Sequence, residues 1–245
     1  MDHSSYLAPA PDGGLWWGPL TEGRLLRRYK RFLADVELAT GEIITAHTAN
    51  TGRMTGCSEP GRRVWLSPHE GAGRKYPYTL EMIEMPTSMV GVNTMVPNRL
   101  VAAAAQAGVI TDLDAPLTKV EREVKTGQSR LDLRLTDKNG QVIMVEIKNC
   151  TLAEDNIAFF PDAVTARGSK HLDELAELAG EGRRAVVFIL VQRTDAACFS
   201  PADHIDPEWG RRLRAAKARG VEIWAWQADL RLDGISLARK LPVVF

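Results

Sequence analysis

The chain has 245 residues, 44% of them hydrophobic and 25% charged, a globular average that excludes wholesale disorder, coiled coil and collagen-like repeats and points to about two domains. The 31 Lys and Arg balance 31 Asp and Glu, so no uniform positive field exists and any nucleic-acid surface must be a local patch. Cys57, Cys150 and Cys198 are too far apart in sequence for a disulfide framework or a zinc-ligand pair and suit a reduced cytoplasm, while the longest strongly apolar run, Ala185 to Val191, has the length of a strand and not of a membrane span.

Residues 1–14 are small, polar and rich in Pro and Gly, and read as a flexible tail with no secretory leader. Residues 15–95 read as strands and turns: Leu25 to Leu38, Ile43 to Ala49, Arg63 to Leu66, Tyr78 to Met85 and Met89 to Thr94, punctuated by TGE, NTG, EPG and HEGAGRKYP. About five short strands in one small domain predict a closed OB-type barrel, since an open sheet of that size leaves both edges bare.

From residue 96 to 245 the pattern changes to mixed α/β. Asn98 is placed to cap a helix running through Leu100 to Ala107 and stopped by Gly108. Strands follow at Lys119 to Thr126, Ser129 to Thr136, Gln141 to Cys150, Arg184 to Gln192 and Val221 to Gln227, with helices at Gly168 to Ala179 and Pro207 to Arg219. No helix-turn-helix signature is present, and the cations of the last helix read as a solvated face.

Chemistry concentrates in the strands SRLDLRLT and QVIMVEIKN. In the first, Leu131, Leu133 and Leu135 alternate with Arg130, Asp132 and Arg134; the second is apolar until Glu146 and Lys148, which share a face. A three-residue turn, Lys138-Asn139-Gly140, with Gly140 left-handed, makes Asp132 face Glu146, whereas a two- or four-residue turn separates them. Two facing carboxylates and a lysine suit Mg²⁺ or Mn²⁺ with an ammonium at the attacking water. The alternative is a structural ion-pair network of Asp132 with Arg130 or Arg134 and Glu146 with Lys148.

Two further surfaces stand out. Arg167, Lys170 and His171 gather near the start of a helix whose dipole disfavours cations, as an anionic ligand would require, although His171 alone reads as a hydrogen-bonded histidine at the core edge. Arg24 to Phe32 carries Arg27, Arg28, Lys30 and Arg31 beside Tyr29 and Phe32, the mixture of backbone-binding cations and base-stacking rings found on single-strand-binding barrels, or else a basic strand edge protected against aggregation.

The run FPDAVTARGSKHLDEL, with VEIKNCTL before it and RYKRFLADVEL and NTGRMTGC upstream, resembles the sugar fermentation stimulation protein (SfsA) family from about Gly18 to Pro242. The resemblance implies an OB-type barrel joined to a domain of the PD-(D/E)xK nuclease fold, DNA binding and a link to the regulation of sugar utilisation. It also implies Asp132 as the metal-binding acid, Glu146-Ile147-Lys148 as the acid-x-lysine, and Glu123-Val124-Lys125-Thr126-Gly127 as a family motif whose Glu123 is either a third metal ligand or a solvated strand residue. Nucleases of that fold often carry an acid on the first helix, and NRLVAAAAQAG has none. The expectation is a cytoplasmic DNA-binding protein. Its acids Asp132, Glu146 and Glu123 hold Mg²⁺ or Mn²⁺ for phosphodiester hydrolysis, Lys148 serves the water, and Arg27, Arg28, Lys30, Arg31, Arg130, Arg167, Lys170 and His171 contact DNA, single- or double-stranded. A regulator whose nuclease fold no longer cuts is the rival, and RNA is the lesser partner.

Overall fold

The computed structural model describes residues 7–69, 75–126 and 129–245; the first six residues of the expected tail, the centre of the expected glycine-rich turn at 70–74 and Gly127 of the family motif lie outside the described residues. In chain order the elements are β1 (Leu7–Pro9), β2 (Leu15–Trp17), β3 (Thr21–Tyr29), β4 (Leu33–Leu38), β5 (Ile43–His47), β6 (Arg63–Pro68), β7 (Tyr78–Glu84), β8 (Met89–Gly91), α1 (Val96–Gln106), β9 (Leu117–Thr126), β10 (Ser129–Asp137), β11 (Val142–Cys150), β12 (Leu152–Glu154), β13 (Ile157–Phe160), α2 (Ala166–Gly180), β14 (Arg184–Val191), β15 (Cys198–Pro201), α3 (Pro207–Ala218), β16 (Glu222–Leu230) and β17 (Gly234–Leu241).

Strands β3 to β7 make the barrel, in the order β5-β4-β3-β6-β7 with β8 appended, and a parallel pairing of His47 with Thr79 closes it. Leu25, Val36, Val64, Leu66, Leu80 and Ile83 fill the interior with no exposed surface. The single strand expected from Leu25 to Leu38 is corrected to a hairpin: Tyr29 pairs with Leu33, and the chain turns through Lys30 and Arg31 at φ 49° and 67°. No Gly, Asn or Pro marks that turn, so the sequence carries no punctuation for it.

The second domain is built on an eight-stranded mixed sheet in the order β1-β2-β17-β16-β14-β11-β10-β9. β11, β14 and β16 run parallel at its centre, and Ala185 to Val191 of β14 are fully buried, which is why that run is uninterruptedly apolar. α1 packs on one face over Leu133, Leu135, Ile143, Val145 and Phe188, and α2 and α3 cover the other over Met144, Val187 and Ile189. A small sheet, β12-β13-β15, flanks the strand ends.

Two expectations change here. Residues 7–17 are not a tail followed by barrel: β2 pairs with β17 through Leu15 and Ile235, and β1 pairs with β2, so this segment extends the second domain's sheet. Leu7 and Leu15 are buried there, a contribution too short to register as periodicity. Asn98 is not the helix cap; α1 starts at Val96 behind Met95 with Pro97 in its first turn, freeing the Asn98 side chain for other contacts.

Candidate functional site

The β10–β11 hairpin sets the site. Its turn is Lys138-Asn139-Gly140, with the Asp137 N–H donating to the Gln141 carbonyl at 3.0 Å and Gly140 at φ 80°, the left-handed residue such a turn requires. Leu133 pairs with Val145, and one step further along this register Asp132 stands across from Glu146. Regular pairing ends at that step. The Asp132 carboxylate accepts the Ile147 N–H at 2.7 Å, and on the other side Glu123, which would oppose it on β9, sits at φ 55° and drops out of the ladder. The expected alternation therefore fails at Asp132, with Leu131 in the α2-side core and Leu133 and Leu135 in the α1-side core.

Asp132, Glu146 and Lys148 line a cleft of about 430 Å³ together with Asn98, Arg167 and His171. The two oxygens of Glu146 are differently placed. Oε1 accepts from Lys148 Nζ at 2.7 Å and from His171 Nδ1, whereas Oε2 is buried with no hydrogen-bond partner. The His171 ring, buried on the inner face of α2, keeps Nε2 to accept from Arg167 Nε at 3.5 Å. Burial alone would raise the Glu146 carboxyl, but His171 and Lys148 outweigh it and hold the group below the usual range. Asp132 goes the other way: burial, and then the Glu146 charge, push it up to about 6 against the Ile147 N–H, the Asn98 amide and Lys148. A buried oxygen without a donor beside a carboxyl that resists ionisation is a donor set suited to a hard cation.

Asn98 is the residue that sequence reasoning missed. From the first turn of α1, its amide donates to Asp132 Oδ1 at 2.7 Å and to Glu123 Oε1 at 3.3 Å, so the helix without acids reaches the carboxylates through a neutral amide. Glu123 is exposed at the cleft mouth, 3.8 Å from Arg130. Among the described residues no group of three or more His, Cys, Asp or Glu is arranged to hold a metal ion.

The expected DNA-contacting cations divide. Arg167 and Arg130 line the cleft, while Lys170 is exposed 3.9 Å from Glu174 and lies outside it. α2 begins at Ala166, capped by the Thr165 hydroxyl accepting from the Gly168 N–H. Arg27 is bound to Asp35 at 2.7 Å. Arg28 is turned inward, donating to the carbonyls of Arg31, Asn50, Gly52 and Arg53, the last three at 2.9, 2.7 and 3.2 Å, so it fastens the 50–53 loop instead of presenting charge. Lys30 and Arg31 are exposed at the turn, next to Phe32, which is 42% exposed. That 50–53 loop lines the cleft from the barrel side and is joined to the second domain where the Met54 N–H donates to Asp162 at 2.9 Å.

Comparison with known proteins agrees with this architecture. Residues 26–92 match the family model described as the SfsA N-terminal OB domain, and residues 95–234 match the one described as the sugar fermentation stimulation protein RE domain. A sugar fermentation stimulation protein homolog of Citrifermentans bemidjiense is 49% identical over 227 residues, 92% of this chain and 97% of the relative. One of Pelobacter propionicus is 49% identical over 227 residues, 92% of this chain and 98% of the relative. The solved structure of Pyrococcus furiosus SfsA in complex with Ca²⁺ superposes with a TM-score of 0.85 at 30% identity, covering 94% of this chain and 98% of that one. The chain belongs to the sugar fermentation stimulation protein family.

Proposed function

We propose that this family member binds DNA across its two domains in the cytoplasm and, with Mg²⁺ or Mn²⁺, hydrolyses phosphodiester bonds at Asp132, Glu146 and Lys148. The observation that carries the reading is the partnerless buried Oε2 of Glu146 in the cleft shared with the raised Asp132 carboxyl. Asp132 and Glu146 would hold the cation, with Glu123 at the mouth as a further acid. The cation would lower the pKa of a bound water and offset charge on the phosphoryl oxygens. His171 fixes Glu146 through Oε1 and leaves Oε2 without a donor. Lys148, held on the same oxygen, is within the cleft to orient the attacking water and meet a phosphate oxygen. Arg167 and Arg130 are the phosphate contacts at the cleft, and Lys30 and Arg31 those on the barrel. The solved relative with Ca²⁺ supports an oxygen-ligated divalent ion in this family, and the three free cysteines fit a reducing compartment.

Asn98, in place of a helix acid, favours a second reading: a DNA-binding regulator of sugar-utilisation genes that keeps the fold without cutting. Incubating labelled single- and double-stranded DNA with wild type and Asp132→Ala, in Mn²⁺, Mg²⁺ or EDTA, decides between them. Metal-dependent cleavage lost in the variant is the expected result; binding by both proteins with no cleavage by either selects the regulator.

A further inference from the structure

A second groove, of about 660 Å³, opens between the β3–β4 turn, the 50–53 loop and residues 160–165. It shares Thr51, Gly52, Phe160, Asp162 and Thr165 with the acid cleft, so the two adjoin across these residues. We propose that this groove takes one single strand of DNA and leads it from the barrel into the acid cleft, an inference that rests on the DNA-binding reading above and adds the strand state and the path.

Charge supports the path. Many arginines of this neutral chain are matched to acids: Arg27 to Asp35, Arg62 to Glu59, Arg63 to Glu84, Arg134 to Glu121 and Arg184 to Glu222. Arg31 and Arg53, both exposed and both lining the groove, have no carboxylate partner among the described residues, and Arg167, in the adjoining cleft, has only His171. Unmatched guanidinium groups thus line the groove from the barrel and the adjoining cleft from the second domain, as contacts to a phosphate backbone require. The lining between them is Tyr29, Phe160, Pro161, Ala163 and Val164, the last 77% exposed, and Phe32 stands at the hairpin tip. Apolar faces between cations serve bases whose faces are free, which is the state of a single strand.

Size and construction agree with that occupant. The groove has the volume of a small-ligand site, the scale of about one or two nucleotides and far less than a stretch of double helix. The junction is closely packed: a Cβ on Gly52 would stand 2.9 Å from Asn50 Oδ1 and 3.3 Å from the Asp162 carboxylate oxygens. Arg28 pins that loop from the barrel side, and Asp162 pins it from the second domain.

The test is fluorescence anisotropy of the full chain in EDTA with a labelled single strand, the blunt duplex of the same sequence and a duplex with a single-stranded arm. The single strand and the armed duplex should bind at least tenfold more tightly than the blunt duplex. Arg31→Glu with Arg53→Glu should abolish that preference and flatten the salt dependence by about 1.4 log units, at about 0.7 for each phosphate of a single strand. Lys138→Glu, at the distant hairpin turn, should change neither. Should the double Glu variant melt early, Arg31→Gln with Arg53→Gln carries the same comparison. A wild type that favours blunt duplex, or a folded double variant that binds the single strand undiminished, overturns the path. Cleavage with Mn²⁺ is scored separately, so a chain that binds through the groove without cutting defeats the hydrolytic reading and leaves this one standing.

Discussion

Replacing Asp132 by Asn tests the site without any turnover assay. The folded pKa of about 6 lies above the ordinary 3.8, so between those values the native chain binds more protons than the unfolded one and stability falls as pH rises. About two pKa units correspond to roughly 3 kcal/mol of destabilisation carried by the ionised group above pH 6. Asparagine keeps an acceptor for the Ile147 N–H but disturbs the hydrogen bond from the Asn98 amide, at a cost of about 1 kcal/mol. The variant should therefore be more stable than wild type by about 1–2 kcal/mol at pH 8 in EDTA, a gain in Tm of roughly 3–6 °C for a chain of this size. At pH 4–5, where wild-type Asp132 is itself protonated, the gain should vanish or reverse. Mg²⁺ or Mn²⁺ at about 100 times its Kd should stabilise wild type by about 2.7 kcal/mol and leave the variant unmoved. Melts across pH 4–8 with and without metal read all of this. A variant less stable than wild type at pH 8, alongside a wild type indifferent to metal, would make Asp132 a member of a structural ion-pair network and refute the reasoning.

Glu146→Gln should act in the opposite direction, because it leaves the Lys148 ammonium buried without its anion; a loss of about 3–5 kcal/mol is expected in guanidinium denaturation. Arg28→Lys cannot span the Asn50 and Gly52 carbonyls as the guanidinium does and should cost about 2–3 kcal/mol, also read by denaturant midpoint. Lys30→Ala with Arg31→Ala should leave the Tm nearly unchanged while lowering the salt slope of DNA binding by about 0.7 to 0.9 for each phosphate no longer neutralised; an unaltered slope would make these residues edge protection only. Gly140→Ala meets no neighbouring atom within 4 Å, so its cost should be the left-handed backbone alone, about 1 kcal/mol, seen as a shifted urea midpoint at constant m.

What the sequence disclosed follows from what local patterns encode. The barrel, the mixed sheet and the β10–β11 turn were legible because burial on one or both faces writes itself into alternation, and because Gly140 is the residue that a three-residue hairpin turn demands. Contacts made by distant segments were not. Strands β1 and β2 are three residues each and gain their place only because β2 pairs with β17, over 200 residues away, and β1 with β2. Arg28 read as surface charge because a string of cations says nothing of the carbonyls that the folded hairpin brings to it, and the same string hides the Asp35 partner of the exposed Arg27. The motif NTGRMTGC was recognisable as a family feature, yet its place between Arg28 and Asp162 depends on the packing of two domains.

The charge balance of the cleft bears on when a cation would bind. Asp132 and Glu146 supply two negative charges, Lys148 removes one of them at 2.7 Å, and Asn98 contributes an amide where an acid would have added a third. Such a set is weaker than a dedicated cation cage, and Mg²⁺ commonly completes its shell with water and substrate phosphate oxygens when protein carboxylates are few. On the proposed function, a phosphodiester drawn in by Arg167 would supply those oxygens and the missing negative charge together. Metal and DNA should then bind each other's complexes more tightly than the free protein, by the same factor in both directions. On the proposed function, the near-neutral cleft would make cation binding a consequence of correct strand placement, and chemistry at Lys148 would wait on a strand delivered along the proposed groove.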